Sequence, residues 1–207
     1  MQSKNLVRWS GLALLIGGIL YTINGFFHLD NNDPQSVFSP LWLPLQLMIT
    51  AFYALSMPGL IGLHLRQRDK TGRLGRIGIV LALVGSAITF ITSLGFAFAI
   101  PALAAQQAEP QSPVALISSR GPLSWIGVLV LAFIFAFIPG HILTGIATAR
   151  AGILPHWAGV LVSLGMLVLF LGEASPSLVF LRNIGGVLSG VGLAWLGYAL
   201  WSEKNTG

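Results

Sequence analysis

The amino-acid sequence predicts an all-α fold, a polytopic transmembrane bundle of six helices. Three observations carry that prediction. Of the 207 residues, 55% are hydrophobic and only 8% charged, where a soluble domain carries roughly 25% charged residues. Six stretches approach the ~20 apolar residues needed to cross ~30 Å of hydrocarbon. The Lys and Arg residues fall mostly on one side of those stretches. A surface this poor in charge needs lipid as its solvent. In lipid each span must be helical, because a lone strand leaves its backbone polar groups unsatisfied.

The spans read as roughly 7–27, 41–64, 76–100, 122–147, 156–174 and 178–201, in one transmembrane domain covering 1–207. The first follows Lys4 and Arg8, as the apolar run of a signal peptide would. No small-x-small cleavage site follows it, and the run ends in Phe26-Phe27-His28, so it reads as a retained helix. The second holds Pro58 and the fourth Pro139; each proline should kink its helix and free a carbonyl one turn earlier. Between the second and third lies R-Q-R-D-K-T-G-R-L-G-R, basic enough to touch anionic headgroups, although its topological role already explains it. Residues 101–121 hold Pro101, Pro110 and Pro113 around Q-Q-A-E and read as a tether with a short surface helix at 113–119. A tight S-P-S turn joins the fifth and sixth spans.

Loop charges set the expected orientation. Lys4, Arg8, Arg66, Arg68, Lys70, Arg73, Arg76, Arg150 and Lys204 lie on one side, and only Arg120 and Arg182 on the other. With the acids included, the first side carries +7 and the second −2, which accounts for the net +5. Positive charge stays inside, so both termini are expected in the cytoplasm and the chain in the inner (plasma) membrane. Trp9, Trp157 and Trp201 are expected as anchors at the inner interface, and Trp42 and Trp125 at the outer one. The pI near 10.3 does not indicate nucleic acid, because the basic residues form no patch interleaved with aromatics. The absence of cysteine excludes disulfides, thiolate nucleophiles and Cys-ligated metal.

The odd-numbered spans resemble one another. Arg8-Trp9, Arg76-Ile77 and His156-Trp157 each precede a glycine by the same distance: Gly17, Gly85 and Gly165. Gly72 aligns with Gly152, and Pro58-Gly59 with Pro139-Gly140. The reading is three repeated helical hairpins, although Leu/Gly-rich segments also match one another by chance. Small residues at four-residue spacing mark the expected seams: Gly78, Ala82 and Ser86; Ala132, Ala136, Gly140, Thr144 and Thr148; Gly186, Gly190 and Ala194. The fourth span has the longest such ridge and is expected at the centre.

Ionisable residues deep in a bilayer are functional hints, and there are few. His141 is the deepest. With His64 and His156 it offers three imidazoles at one depth, a weak candidate for cofactor binding, but no metal-site spacing supports it. A single neutral histidine bonded to a nearby carbonyl is the simpler reading of His141. The opposite end gathers Asn24, His28, Asp30, Asp33, Glu173, Arg182 and Asn183. From this group Asn24, His28, Glu173 and Arg182 are the candidates for a ligand or polar pocket, with Glu173 and Arg182 expected to pair. H-L-D-N-N-D (His28 to Asp33) lacks the glycine and terminal glutamate of a calcium loop and reads as a solvated turn. No nucleophile motif, phosphate loop, dinucleotide fingerprint or pair of intramembrane carboxylates is present. No catalytic residue, no metal and no cofactor is expected.

The turn R-A-G-I-L-P-H-W-A-G (Arg150 to Gly159), with G-V-G-L-A-W-L-G-Y-A-L-W (Gly190 to Trp201), resembles a broad class of bacterial multi-pass proteins of unknown function. Such proteins often carry an R-A-G-x-L-P-x-W-A-G turn between two helices; here His156 stands where an arginine would be usual. The resemblance implies a six-helix bacterial membrane protein and carries over no activity.

The function expected from these residues is non-enzymatic: an accessory subunit or sensor binding a lipid-like ligand or partner helices. Two alternatives are carried. A small-solute transporter or permease subunit predicts a polar path from His141 to the Asn24/Glu173 end. A haem- or metal-binding redox protein would use the inner histidines. The expected partners are membrane lipid, other membrane subunits or a second copy of the chain, and not nucleic acid.

Overall fold

The structure, a computed structural model, describes residues 2–118, 120–173 and 176–203. Residue 174, Ser175 of the S-P-S turn, Ser119 and Lys204 lie outside them. The described residues fold into an all-α bundle with no strand. Five segments are long and apolar enough to cross a membrane. One of these, Trp42–Ala104, is two helices in sequence, so the bundle has six crossings. We number them α1 (Gln2–Phe27), α2 (42–71), α3 (73–104), α4 (Ser124–Ala151), α5 (His156–Glu173) and α6 (Val179–Ser202).

The break between α2 and α3 corrects the expected boundaries. The stretch 65–75 was expected as a connection, but it is helical on both sides of Gly72. Arg, Gln and Lys are good helix formers, and nothing in R-Q-R-D-K-T stops the helix. Gly72 does so alone, with φ 59 and ψ −149, a conformation open essentially only to glycine. α2 and α3 then run back to back. Thr50 Oγ1 donates to Ser93 Oγ at 2.8 Å and Ser56 Oγ to Ser86 Oγ at 3.3 Å, two rungs equally placed about the turn. Gly152 ends α4, also at positive φ but in the left-handed helical region (φ 66, ψ 15), and the turn is closed by His156 Nδ1–H donating to Ala149 O at 3.0 Å.

Each helix packs antiparallel against the next, and α6 packs along α1, so the six close into a ring. The small-residue ridges lie where the seams are. Gly78 meets Thr144 and Gly140 meets Ala82 between α3 and α4, while Gly18 lies against Ala194 and Gly190 against Thr22 between α1 and α6. Gly17, Gly85 and Gly165 each face the second helix of their own hairpin, at Phe52, Phe137 and Ser189 respectively. In a bilayer such close backbone approach supplies the attraction that the hydrophobic effect supplies in water. The ring corrects one expectation: α4 is not central. Its most apolar window is 28% buried, the lowest of the five segments, against 50% for α6.

We call the end holding the start of α1 and the Gly72 and Gly152 turns the terminal end, and the opposite one the distal end. Trp9, Trp157 and Trp201 are exposed at the terminal end, and Trp125 at the distal end, as anchors would be. Trp42 is not an anchor. It is 2% exposed and donates its indole N–H to Phe96 O at 3.1 Å. It belongs to a cap of Val37, Ile100, Ala104 and Leu116 in which the short helix Pro113–Ile117 packs on the 28–41 loop.

Candidate functional site

The distal half of the ring holds a half-open cavity of about 170 Å³, and all six helices contribute to its wall. Each does so at helical spacing, so one face of each helix turns inward. α1 brings Tyr21 and Asn24, with His28 directly after its last residue; α2 brings Gln46, Ile49 and Tyr53; α3 brings Thr89, Thr92, Ser93 and Phe96. α4 supplies Val130 and Phe133, α5 Leu169 and Glu173, and α6 Arg182, Asn183 and Gly186. Asn31 closes the wall from the loop after α1.

Two of these residues lie on irregular backbone. Phe96 sits in the π-helical turn Gly95–Ala99 of α3, and Phe133 in the π-helical turn Phe133–Phe137 of α4. Each turn is followed by Ile-Pro, at 100–101 and 138–139. A proline has no N–H for the carbonyl one turn back, and the widened turn takes up the mismatch. Such turns gather at functional sites, and here both turns border the cavity.

The polar chemistry of the wall begins at Asn24, 4% exposed, whose Nδ2 donates to Leu45 O of α2 at 2.9 Å. The amide therefore presents its Oδ1 to His28 Nδ1, 3.4 Å away. An amide oxygen only accepts, so the proton of the neutral imidazole sits on Nδ1 and Nε2 is left as an acceptor. Burial, and next the positive charge of Arg182, push the pKa of His28 down to about 3 against an opposing pull from Asp30. The ring is neutral near pH 7.

Among the described residues, four that line the cavity hold a buried polar atom with no hydrogen-bond partner there: His28 Nε2, Asn31 Oδ1, Arg182 Nε and Asn183 Oδ1. The buried phenols Tyr21 and Tyr53 also have no hydrogen-bond partner for their hydroxyls among the described residues. Buried polar groups are normally paired, and each exception asks for a reason. Glu173 and Arg182 pair loosely, Oε1 to Nη1 at 3.8 Å, and Arg182 Nη2 also donates to Leu29 O at 3.3 Å. Among the described residues no other charged side chain lines the cavity, so the two opposite charges of its wall offset each other.

The four pocket candidates of the sequence, Asn24, His28, Glu173 and Arg182, thus line one cavity together with Asn183. Asp30 and Asp33 do not line it. Asp30 Oδ1 accepts from Asn32 N at 2.9 Å and Asp33 Oδ1 from Gln35 N at 2.9 Å, so both close the turn around their own backbone. The Asn32 N–H holds the Asp30 carboxyl below its ordinary pKa. Sequence reasoning missed Tyr21, Tyr53, Gln46, Asn31 and the Thr89/Thr92/Ser93 face. The available signal was polar residues at three- and seven-residue spacing within apolar spans: 21, 24 and 28, then 46 and 53.

The inner histidines occupy separate settings. His141, 0% exposed, donates Nδ1–H to Phe137 O at 2.9 Å, and its ring lies 4.2 Å from that of Phe137. His156 closes the Gly152 turn. His64 has a buried Nδ1 without a partner. No group of three or more His, Cys, Asp or Glu residues is placed to hold a metal among the described residues. His141 does not line the cavity. Phe52 and Phe137, both 0% exposed, stack between it and the wall: Phe52 lies 4.2 Å from Tyr21, and Phe137 lies 5.4 Å from Tyr53 and 5.2 Å from Phe133.

Compared with known proteins, the chain matches no family model, no curated protein and no solved structure.

Proposed function

We propose that this protein is a non-enzymatic membrane module, a sensor or accessory subunit, that holds the head of a lipid-like ligand in its distal cavity. One observation carries the reading. Among the described residues, four buried polar atoms without partners collect in the wall of a single cavity whose lining surface is mostly apolar, with Gln46, Thr89, Thr92, Ser93 and Glu173 among its other side chains. An unpaired buried polar atom costs about 1–3 kcal/mol, so four in one wall is an expensive arrangement unless something entering the cavity completes it. Pockets of mostly apolar lining with a few fixed polar groups are how proteins hold small molecules. The bias of Lys and Arg further supports the inner (plasma) membrane of a bacterial cell, with both termini, and hence the terminal end, in the cytoplasm. The cavity then faces the outer leaflet.

The permease alternative rests on a second group of unpartnered buried atoms beyond the aromatic stack: His64 Nδ1, Gln67 Oε1, His141 Nε2 and Thr144 Oγ1. Phe52 and Phe137 would have to part before a solute could pass between the two groups, which favours holding over transport.

The test is the nitrogen-15 spectrum of the histidine side chains in nanodiscs at pH 7.5. The expected spectrum shows His28 neutral and protonated on Nδ1. Its Nε2 signal moves when membrane lipid extract replaces a single synthetic phosphatidylcholine, while that of His141 stays. A His28 signal indifferent to lipid composition would contradict the reading.

A further inference from the structure

We propose that the head held in the cavity is uncharged and hydroxyl-bearing, of about the size of glycerol. This rests on the ligand-holding reading above and narrows it.

Size comes first. An engineered cavity of about 150 Å³ accommodates one benzene, and this one measures about 170 Å³. It admits a head of roughly six to eight heavy atoms, while the bulk of any lipid stays outside. Charge comes second. Among the described residues only Glu173 and Arg182 carry charge in the wall, and they offset each other. An anionic or cationic head would enter a partly buried site with no countercharge left for it, which is strongly unfavourable.

Hydrogen-bonding capacity comes third. His28 Nε2, Asn31 Oδ1 and Asn183 Oδ1 are acceptors and need donors. Arg182 Nε–H is a donor, and the hydroxyls of Tyr21 and Tyr53 can donate. A carbonyl or ether would leave the three acceptors unserved, and an ammonium would leave the donors unserved. A hydroxyl both donates and accepts, so a head with two or more of them serves both sets. The chemistry is the same whether the polyol is free in solution or carried on an acyl chain. The apolar side chains of Ile49, Phe96, Val130 and Leu169 in the same wall favour the second source.

The experiment compares probes with one tail and different heads. Full-length protein in phosphatidylcholine nanodiscs is titrated with 1-monooleoylglycerol, oleic acid and oleylamine, and separately with free glycerol. Occupancy is read as retained mass after gentle release. The expected result is that monooleoylglycerol binds at least about tenfold tighter than either charged probe, the minimum for an uncompensated charge in a partly buried site. Glu173→Gln, which leaves Arg182 unopposed, should move the preference towards oleate by about the same factor. Should Glu173→Gln fold poorly, Asn183→Leu is the second variant, expected to lower monooleoylglycerol occupancy without favouring either charged probe. Glycerol binding as well as its oleoyl ester keeps the head chemistry and assigns the source to solution. Wild-type protein that takes oleate or oleylamine as tightly as the glyceride overturns this inference and leaves the ligand-holding reading standing. Folded protein that binds none of the probes overturns both.

Discussion

At the scale of single residues, the account turns on His28. Its position one turn after Asn24, and the fixing of the Asn24 amide by Leu45 O, decide which imidazole nitrogen carries the proton. Its neutrality has a consequence for stability. The unfolded imidazole titrates near 6.5 and the folded one at about 3. Between those values the unfolded chain binds more protons. The contribution from keeping His28 neutral is therefore complete above about pH 6.5 and is lost as the pH falls towards 3, by at most ~1.4 kcal/mol per pH unit. We expect the Tm in nanodiscs to drop between pH 7.5 and pH 5, and His28→Gln to make that drop smaller. An equal drop in the variant would place the sensitivity elsewhere. Asp30, held below its ordinary value, adds its loss only at lower pH. The polar residues at this scale were legible in part. Asn24, His28, Glu173 and Arg182 stand out because charge and amides are rare in apolar spans. Tyr21 and Tyr53 did not, because a tyrosine in a membrane helix ordinarily belongs to the interface, and only the ring geometry brings their hydroxyls to one cavity.

At the scale of elements, the six spans were legible from apolar length alone, but their ends were not. The basic stretch after residue 64 was expected as a loop because it is charged. Its charge decides on which side of the membrane it lies, not whether it is helical, and helix-forming residues carry α2 on to Gly72. The two inner turns look alike and differ in one respect. Gly152 has φ 66 and ψ 15, the left-handed region that asparagine tolerates, whereas Gly72 has ψ −149, which no side-chain-bearing residue takes easily. Gly72→Asn should cost about 1–3 kcal/mol and Gly152→Asn under about 1 kcal/mol. Thermal unfolding of the two variants in one detergent checks the order. A larger loss at Gly152 would mean that the turns are not as described. The π-helical turns in α3 and α4 were not legible: the sequence announces Pro101 and Pro139, but not how each helix absorbs its proline.

At the scale of the molecule, the ring is what makes a cavity possible. A bundle with α4 at its centre would fill the space that Tyr21, Tyr53, Phe133 and Arg182 now share. Six helices closed through glycine seams, with none at the centre, leave room along the axis. Phe52 and Phe137 fill its middle, and the distal part stays open as the cavity. The small-residue ridges announced seams but not partners, because a Gly-x-x-x-Gly pattern fits any helix with a matching groove. Closure between α1 and α6, which the chain order does not suggest, is decided by Gly18, Gly190 and Ala194 meeting across it. The most direct measurement of the central claim is a native mass spectrum of the full chain, released gently from nanodiscs prepared with membrane lipid of the expression host. The account predicts one extra mass per chain, that of an amphiphile, retained through release and absent after exchange into a single synthetic phosphatidylcholine. A folded chain that leaves native lipid bare would contradict it.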